Sequence, residues 1–291
     1  MISVLIPTYN WNAYSLVAEL QSQFNSTNIP FEILVVDDAS QSELNSENEK
    51  INTLGNCSFV ELEENIGRSA IRNLLASKAK YKYLLFLDAD VIPTHKNFVD
   101  DYAKRISDSN KVIVGGIAYK NETSTKLLRW KYGKKYEQVS LEIREKNPSK
   151  YFFTANFLIE KKLFSSIQFD ENFTKYGYED VVFGRELEHK GIEIHQIQNE
   201  VFHLGIDTNQ SFVNKTKQAI VNLVSLENKD KNLTGNIGLL KMYKRLKKFG
   251  LRSFLSLFTK QFEKFATQHS SLFFFNLFRL GYLHKVFKNI N

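Results

Sequence analysis

A single cysteine, Cys57, stands in 291 residues, so no intramolecular disulfide can form and no Cys-x-x-Cys pair or cysteine-based zinc cluster exists. One thiol fits a reducing compartment. Long apolar runs are missing too: no stretch approaches the roughly 20 apolar residues that a bilayer-spanning helix needs. The opening Met-Ile-Ser-Val-Leu-Ile-Pro has no basic leader and meets Pro7 too early for a secretory signal. These absences predict a chain made and kept in the cytoplasm. Internal repeats and low-complexity linkers are also lacking. What remains is an ordinary globular composition, 43% apolar and 24% charged, which excludes wholesale disorder. This length can bury one large core, or a domain with an appendage.

The net charge of +7 is unevenly spread. Residues 229–291 hold 13 Lys/Arg against 2 Asp/Glu, which leaves 26 basic and 30 acidic residues in the rest. The basic character therefore belongs to the C-terminal stretch. This predicts a catalytic domain over 1–228 and a basic, Phe-rich helical module over 229–291, with 228–236 as the boundary.

Apolar runs at Ile2–Ile6, Phe31–Val36, Cys57–Leu62, Tyr83–Leu87, Val112–Ala118 and Phe152–Glu160 read as strands. Helical spacing covers Asn12–Phe24, Gly67–Ala79, Phe98–Ile106 and Tyr178–His189. Lys120–Lys150 has no clean period and reads as irregular helix and loop. Strands alternating with helices predict an α/β fold, a mostly parallel sheet flanked by helices. Such sheets bind ligands beyond the carboxyl ends of their strands. Asp37-Asp38 and Asp88-Ala89-Asp90 both follow buried runs directly, so both should open onto one edge. Two carboxylates two residues apart there can share a hard cation such as Mg²⁺ or Mn²⁺, although an Asp-x-Asp pair alone is weak evidence.

Four further segments accompany that pair in order. They are Val4-Leu5-Ile6-Pro7-Thr8-Tyr9-Asn10, Ile33 to Ser40, Asn65-Ile66-Gly67-Arg68 leading to Arg72-Asn73, and Tyr176-Gly177-Tyr178-Glu179-Asp180. Over residues 1–205 this ordered set resembles the family 2 glycosyltransferases, which have the GT-A fold. The resemblance implies that Pro7, Thr8 and Tyr9 line a nucleoside pocket. It implies that Asp38, with Asp37 beside it, accepts a hydrogen bond from the base, which suits the imide N–H of a uracil. Gly67 and Arg72 would lie near base and diphosphate. Asp88 would face the donor ribose or the metal, Asp90 would ligate the metal, and His203 would complete the metal shell. Asp180 would be the general base of an inverting displacement, with Glu179 orienting the acceptor or the base. Asn156, in Ala155-Asn156-Phe157, resembles the segment below the acceptor, where glycine often precedes the asparagine. Each residue also has a plainer reading: Pro7, Gly67 and Asp37 in turns, Arg72 on a solvated helix face, Glu179-Asp180 at a helix start, and His203 in a core.

Within 251–265, Leu251, Leu255, Phe258, Phe262 and Phe265 step by four and three, one apolar helical face. Leu239, Met242, Leu246 and Phe249 do the same, with Lys241, Lys244, Arg245, Lys247 and Lys248 between them. A final aromatic run spans Leu272–Phe287. Basic amphipathic helices of this kind suit an anionic membrane interface, here over 239–287. The same face would equally pack on the body or form a homodimer. No nucleic-acid reading motif accompanies the charge. The predicted activity is transfer from a nucleotide-diphosphate donor, a UDP-sugar, to a glycan or lipid-linked saccharide, with Mn²⁺ or Mg²⁺ as cofactor, peripherally on the inner face of the cell membrane. Competing readings are a sugar nucleotidyltransferase and a non-catalytic scaffold or glycan-binding protein. The first would need a glycine-rich phosphate loop where Ile6-Pro7-Thr8-Tyr9 stands. Intact Asp88, Asp90, Asp180 and His203 argue against the second.

Overall fold

The structure, a computed structural model, describes residues 1–106, 111–121, 126–173, 176–235, 237–247 and 250–290. Lys248 and Phe249 of the basic apolar stretch, and Asn236 of the predicted boundary, lie outside the described residues. The chain forms two compact units. The first comprises Met1–Lys120, Glu137–Thr174 and Glu179–Gly205; the second comprises Asn121–Tyr136, Lys175–Tyr178 and Ile206–Asn291.

In the first unit the strands are β1 (Ile2–Thr8), β2 (Phe31–Asp37), β3 (Cys57–Glu61), β4 (Tyr83–Leu87), β5 (Val91–Pro93), β6 (Val112–Val114), β7 (Ile117–Ala118), β8 (Asn156–Glu160), β9 (His195–Gln196) and β10 (Val201–His203). Seven of them make a sheet in the order β3-β2-β1-β4-β8-β6-β9. β3, β2, β1 and β4 run parallel, and β8 is antiparallel to both β4 and β6. β1, β2 and β4 are near-continuous apolar runs because that part of the sheet is covered on both faces, whereas the edge strand β3 buries only Phe59. On one face Leu84 and Phe86 join Ile71, Leu75, Phe183 and Leu187 in a core, from helices Arg68–Lys78 and Glu179–His189. Phe86 stacks on Phe157 there at 4.7 Å.

A second sheet, β5-β10-β7, is small. The run Val112–Ala118, expected as one strand, is broken between the two sheets at Gly115-Gly116. The Gly116 turn lies on the buried Arg144 guanidinium, which donates to Gln196 Oε1 at 2.8 Å and to the Ile197 carbonyl at 2.9 Å.

The second unit is helical among its described residues: Leu128–Tyr136, Asn209–Lys229, Lys231–Thr234, Gly238–Lys247, Leu251–Leu257, Thr259–His269 and Leu272–Ile290. Helix Asn209–Lys229 contributes Ile220, Leu223 and Val224 to one core with Leu240 and Leu283. The C-terminal segment of the second unit accordingly starts at Ile206. The single apolar face read over 251–265 is divided between two helices at Phe258, where Thr259 Oγ1 turns back to the carbonyls of Ser256 and Leu255. No helix among the described residues is long and apolar enough to cross a membrane.

Candidate active site

Because β1, β2 and β4 are parallel, their carboxyl ends share one edge of the sheet, and all three loops there carry predicted residues. β1 delivers Pro7, buried Thr8 and Tyr9, whose ring is 60% exposed at the edge. The Thr8 carbonyl accepts from Asp38 N at 2.9 Å and ties the first two loops together.

The two carboxylates after β2 hold backbone. Asp37 is fully buried and accepts from both the amide and the hydroxyl of Ser40, at 2.7 and 2.9 Å. It therefore caps its own turn. Asp38 accepts from the amides of Ile66 and Gly67 at 2.7 and 2.9 Å. Asp38 thereby clamps the Asn65–Gly67 loop. Gly67 takes φ 87°, and an added Cβ would meet nothing within 4 Å. Glycine is required there for backbone conformation, not by a crowded neighbour.

Arg72 is 2% exposed, not a solvated helix arginine. Its Nη2 lies 2.6 Å from Asp88 Oδ1, and Nη1 donates to the Arg68 carbonyl at 3.1 Å. This buried pairing fixes the first carboxylate of Asp-x-Asp.

The second carboxylate meets the late histidine through the small sheet. β10 pairs with β5 so that His203 is opposite Val91. Asp90 Oδ2 then lies 3.6 Å from His203 Nε2. That is too long for a hydrogen bond, and it suits two ligands sharing one cation. Carboxylate oxygen with imidazole nitrogen is a donor set that Mn²⁺ accepts. Asp88, Asp90 and His203 do not close into a three-ligand shell: among the described residues no group of three or more His, Cys, Asp or Glu is arranged to hold a metal. Asp88 is drawn to Arg72 instead.

Glu179 and Asp180 open helix Glu179–His189, where the helix dipole favours acids. Asp180 Oδ1 accepts from the Val181 amide at 2.7 Å. Burial, and then the charge of Glu179, push the Asp180 carboxyl up to about 7. Arg72 pulls it down and Glu137 pushes it up, so Asp180 senses the Arg72 guanidinium. Glu179 is 8% exposed, and its Oε2 is buried without a hydrogen-bond partner.

Asn156, expected beside the acceptor, is 0% exposed. Its amide donates to the carbonyls of Gly116 and Asn199 at 2.9 and 2.8 Å, and its Oδ1 accepts from Tyr102 at 2.7 Å. Every polar atom of the side chain is bonded within the fold.

The family model for glycosyl transferase family 2 matches residues 3–168, more than half of the chain and all of the edge just described except the acid pair and His203. The chain belongs to glycosyl transferase family 2. Among curated proteins it is similar to the chondroitin synthase of Escherichia coli, 27% identical over 68% of this chain and 33% of that protein. The chain spans a third or less of the length of the curated relatives it matches. Among solved structures it resembles the mannosyltransferase PcManGT from Pyrobaculum calidifontis, in complex with GDP-Man and Mn²⁺. That likeness has a TM-score of 0.61 at 14% identity and covers 99% of this chain and 86% of that one. S. aureus TarS 1–349 in complex with UDP is similar at TM-score 0.50 and 17% identity, covering 100% and 92%. The fold is thus the GT-A arrangement of these transferases.

Several residues that shape this family 2 site went unread in the sequence. Gly205 lies against Asp90: a Cβ there would sit 2.0 Å from Oδ2, while the Leu204 amide donates to the Asp90 carbonyl at 2.7 Å. Tyr119 stacks on His203 with ring centroids 5.7 Å apart and donates to Glu137, the acid sensed by Asp180. Glu137 falls in an aperiodic stretch and gives no local signal. Gly205 stands two residues after the predicted histidine, where a glycine facing a carboxylate could have been suspected.

Proposed function

We propose that the first unit transfers a sugar from a nucleotide-diphosphate donor, a UDP-sugar, to a hydroxyl of a glycan or lipid-linked saccharide, with inversion at the anomeric carbon. The observation that carries this reading is the acid pair Glu179-Asp180 in the first turn of its helix, with the Asp180 carboxyl raised to about 7 and within electrostatic reach of Arg72. A base titrating near the working pH removes a hydroxyl proton most effectively. Asp180 takes the acceptor proton as the acceptor oxygen bonds to the anomeric carbon. The bond from that carbon to the phosphate oxygen breaks, and the nucleoside diphosphate leaves. Glu179, with its unpartnered oxygen, orients the acceptor hydroxyl.

Asp90 and His203 would hold a divalent cation, Mn²⁺ or Mg²⁺, which when bound neutralises the departing diphosphate. Asp88, steadied by Arg72, faces the donor ribose. The exposed Tyr9 ring and the loop clamped by Asp38 line the nucleoside pocket. The UDP in TarS and the GDP-Man with Mn²⁺ in PcManGT support a nucleotide-sugar donor of this kind. A lipid-linked acceptor would account for the basic, Phe-rich second unit, which we read as a peripheral contact with the anionic inner face of the cell membrane.

The test is release of nucleoside diphosphate from UDP- and GDP-sugars in the presence of saccharide acceptors, with product configuration read by NMR. Release with an inverted product, lowered by about 10²–10⁴-fold in Asp180→Asn, supports the reading. Pyrophosphate release would identify a nucleotidyltransferase instead, and inertness toward every donor would favour the scaffold.

A further inference from the structure

Helix Leu251–Leu257 of the second unit has no buried residue, although its sequence, Leu-Arg-Ser-Phe-Leu-Ser-Leu, is mostly apolar. Leu257 is 73% exposed and Phe254 55%. The exposed apolar surface continues beyond this helix through Phe258, Phe265 and Phe273. The rings run on without a gap. Phe254 and Phe258 lie 5.0 Å apart, Phe258 and Phe262 6.3 Å, Phe262 and Phe274 6.4 Å, and Phe274 and Phe265 5.0 Å. Scattered exposed apolar residues need no explanation, but a connected patch of this kind marks a contact surface.

The charge around the patch selects its occupant. Lys260 and Lys264 are exposed on helix Thr259–His269, between the phenylalanines. From residue 231 to 291 the sequence contains one acidic residue, Glu263, and its carboxylate is engaged by Lys217 at 2.6 Å. A second copy meeting this face through a two-fold axis would set lysines against lysines. An anionic lipid surface instead matches both features, because Phe and Leu enter the acyl boundary while lysines stay at the headgroups. We infer that Phe254, Leu257, Phe258, Phe265 and Phe273, flanked by Lys260 and Lys264, form the surface that seats this chain on an anionic bilayer. The inference rests on the peripheral-membrane reading above and gives it an address.

The test is co-sedimentation of the 291-residue chain with phosphatidylcholine vesicles, with and without phosphatidylglycerol. Wild type should bind the anionic vesicles and release at high salt. The triple variant Phe254→Ser/Leu257→Ser/Phe258→Ser should bind about 1,000-fold more weakly, because each of the three large side chains leaving an apolar environment forfeits roughly tenfold. Lys260→Glu/Lys264→Glu should weaken binding by about 100-fold. None of the three apolar side chains is buried, so urea unfolding of the variant should match wild type. If the triple variant fails to fold, Leu257→Ser alone should still bind about tenfold more weakly. Binding of both apolar variants equal to wild type would overturn this surface while leaving the membrane reading intact. Failure of wild type to bind any vesicle overturns both readings. A dimer in sedimentation that the triple variant dissolves would then assign the surface to a second copy.

Discussion

Replacing Asp180 by Asn should separate what this residue does for chemistry from what it costs the fold. The carboxyl titrates near 7 in the folded protein, against 3.8 for an ordinary aspartate. Below about pH 3.8 both states are protonated and the group contributes nothing. As pH rises from there to 7, the unfolded chain ionises while the folded one holds its proton, and the folded state loses stability. Above 7 the loss is complete, of the order of 4 kcal/mol, at about 1.4 kcal/mol for each tenfold step in proton affinity. Asn carries no such proton. The variant should therefore be more stable than wild type at pH 8, by roughly 8 °C in melting temperature for a domain of this size. The assay is thermal unfolding of both proteins from pH 5 to 9, with transferase activity measured in parallel. The gap should widen up to about pH 7 and then level off, and activity of wild type should rise over the same range. Unfolding curves that stay parallel across this range would refute the reasoning, since Asp180 would then titrate as an ordinary carboxylate.

Other residues give further outcomes. Gly205→Ala places a methyl 2.0 Å from Asp90 Oδ2. Mn²⁺ affinity, read by electron paramagnetic resonance, should fall at least about tenfold. Arg72→Ala leaves Asp88 without its buried partner and should cost about 3 kcal/mol in urea unfolding. It should also raise the pH at which activity appears, because Arg72 is the charge that pulls Asp180 down. Asn156→Ala should destabilise by about 2–3 kcal/mol through the orphaned Gly116 and Asn199 carbonyls, yet leave the acceptor KM unchanged. A changed KM with unchanged stability would place Asn156 at the acceptor site.

The parallel half of the sheet was legible because β1, β2 and β4 are runs of apolar residues long enough to be distinguished. β5, β9 and β10 span only two or three residues, too short for a period of two to register, and β10 carries His203. Helix Asn209–Lys229 had both its signals in the sequence, a Thr208 cap and buried Phe212, Thr216, Ile220 and Leu223 at helical spacing, but was not read. The position of the site residues was legible, but their hydrogen-bond partners were not. Asp37, Asp38 and Arg72 stand at the expected edge, yet their polar atoms hold Ser40, the Asn65–Gly67 loop and Asp88. Spacing along the chain says that a carboxylate reaches an edge. It does not say which backbone amide or guanidinium will be waiting there, because those partners arrive from segments up to 29 residues away, as with Gly67 and Asp38.

The most direct test of the account is calorimetric titration of UDP and GDP into the folded chain, with Mn²⁺ and with chelator. The account predicts metal-dependent binding of UDP that Asp90→Ala abolishes and Asp180→Asn leaves in place. A folded chain that binds neither nucleotide under any metal condition would contradict it.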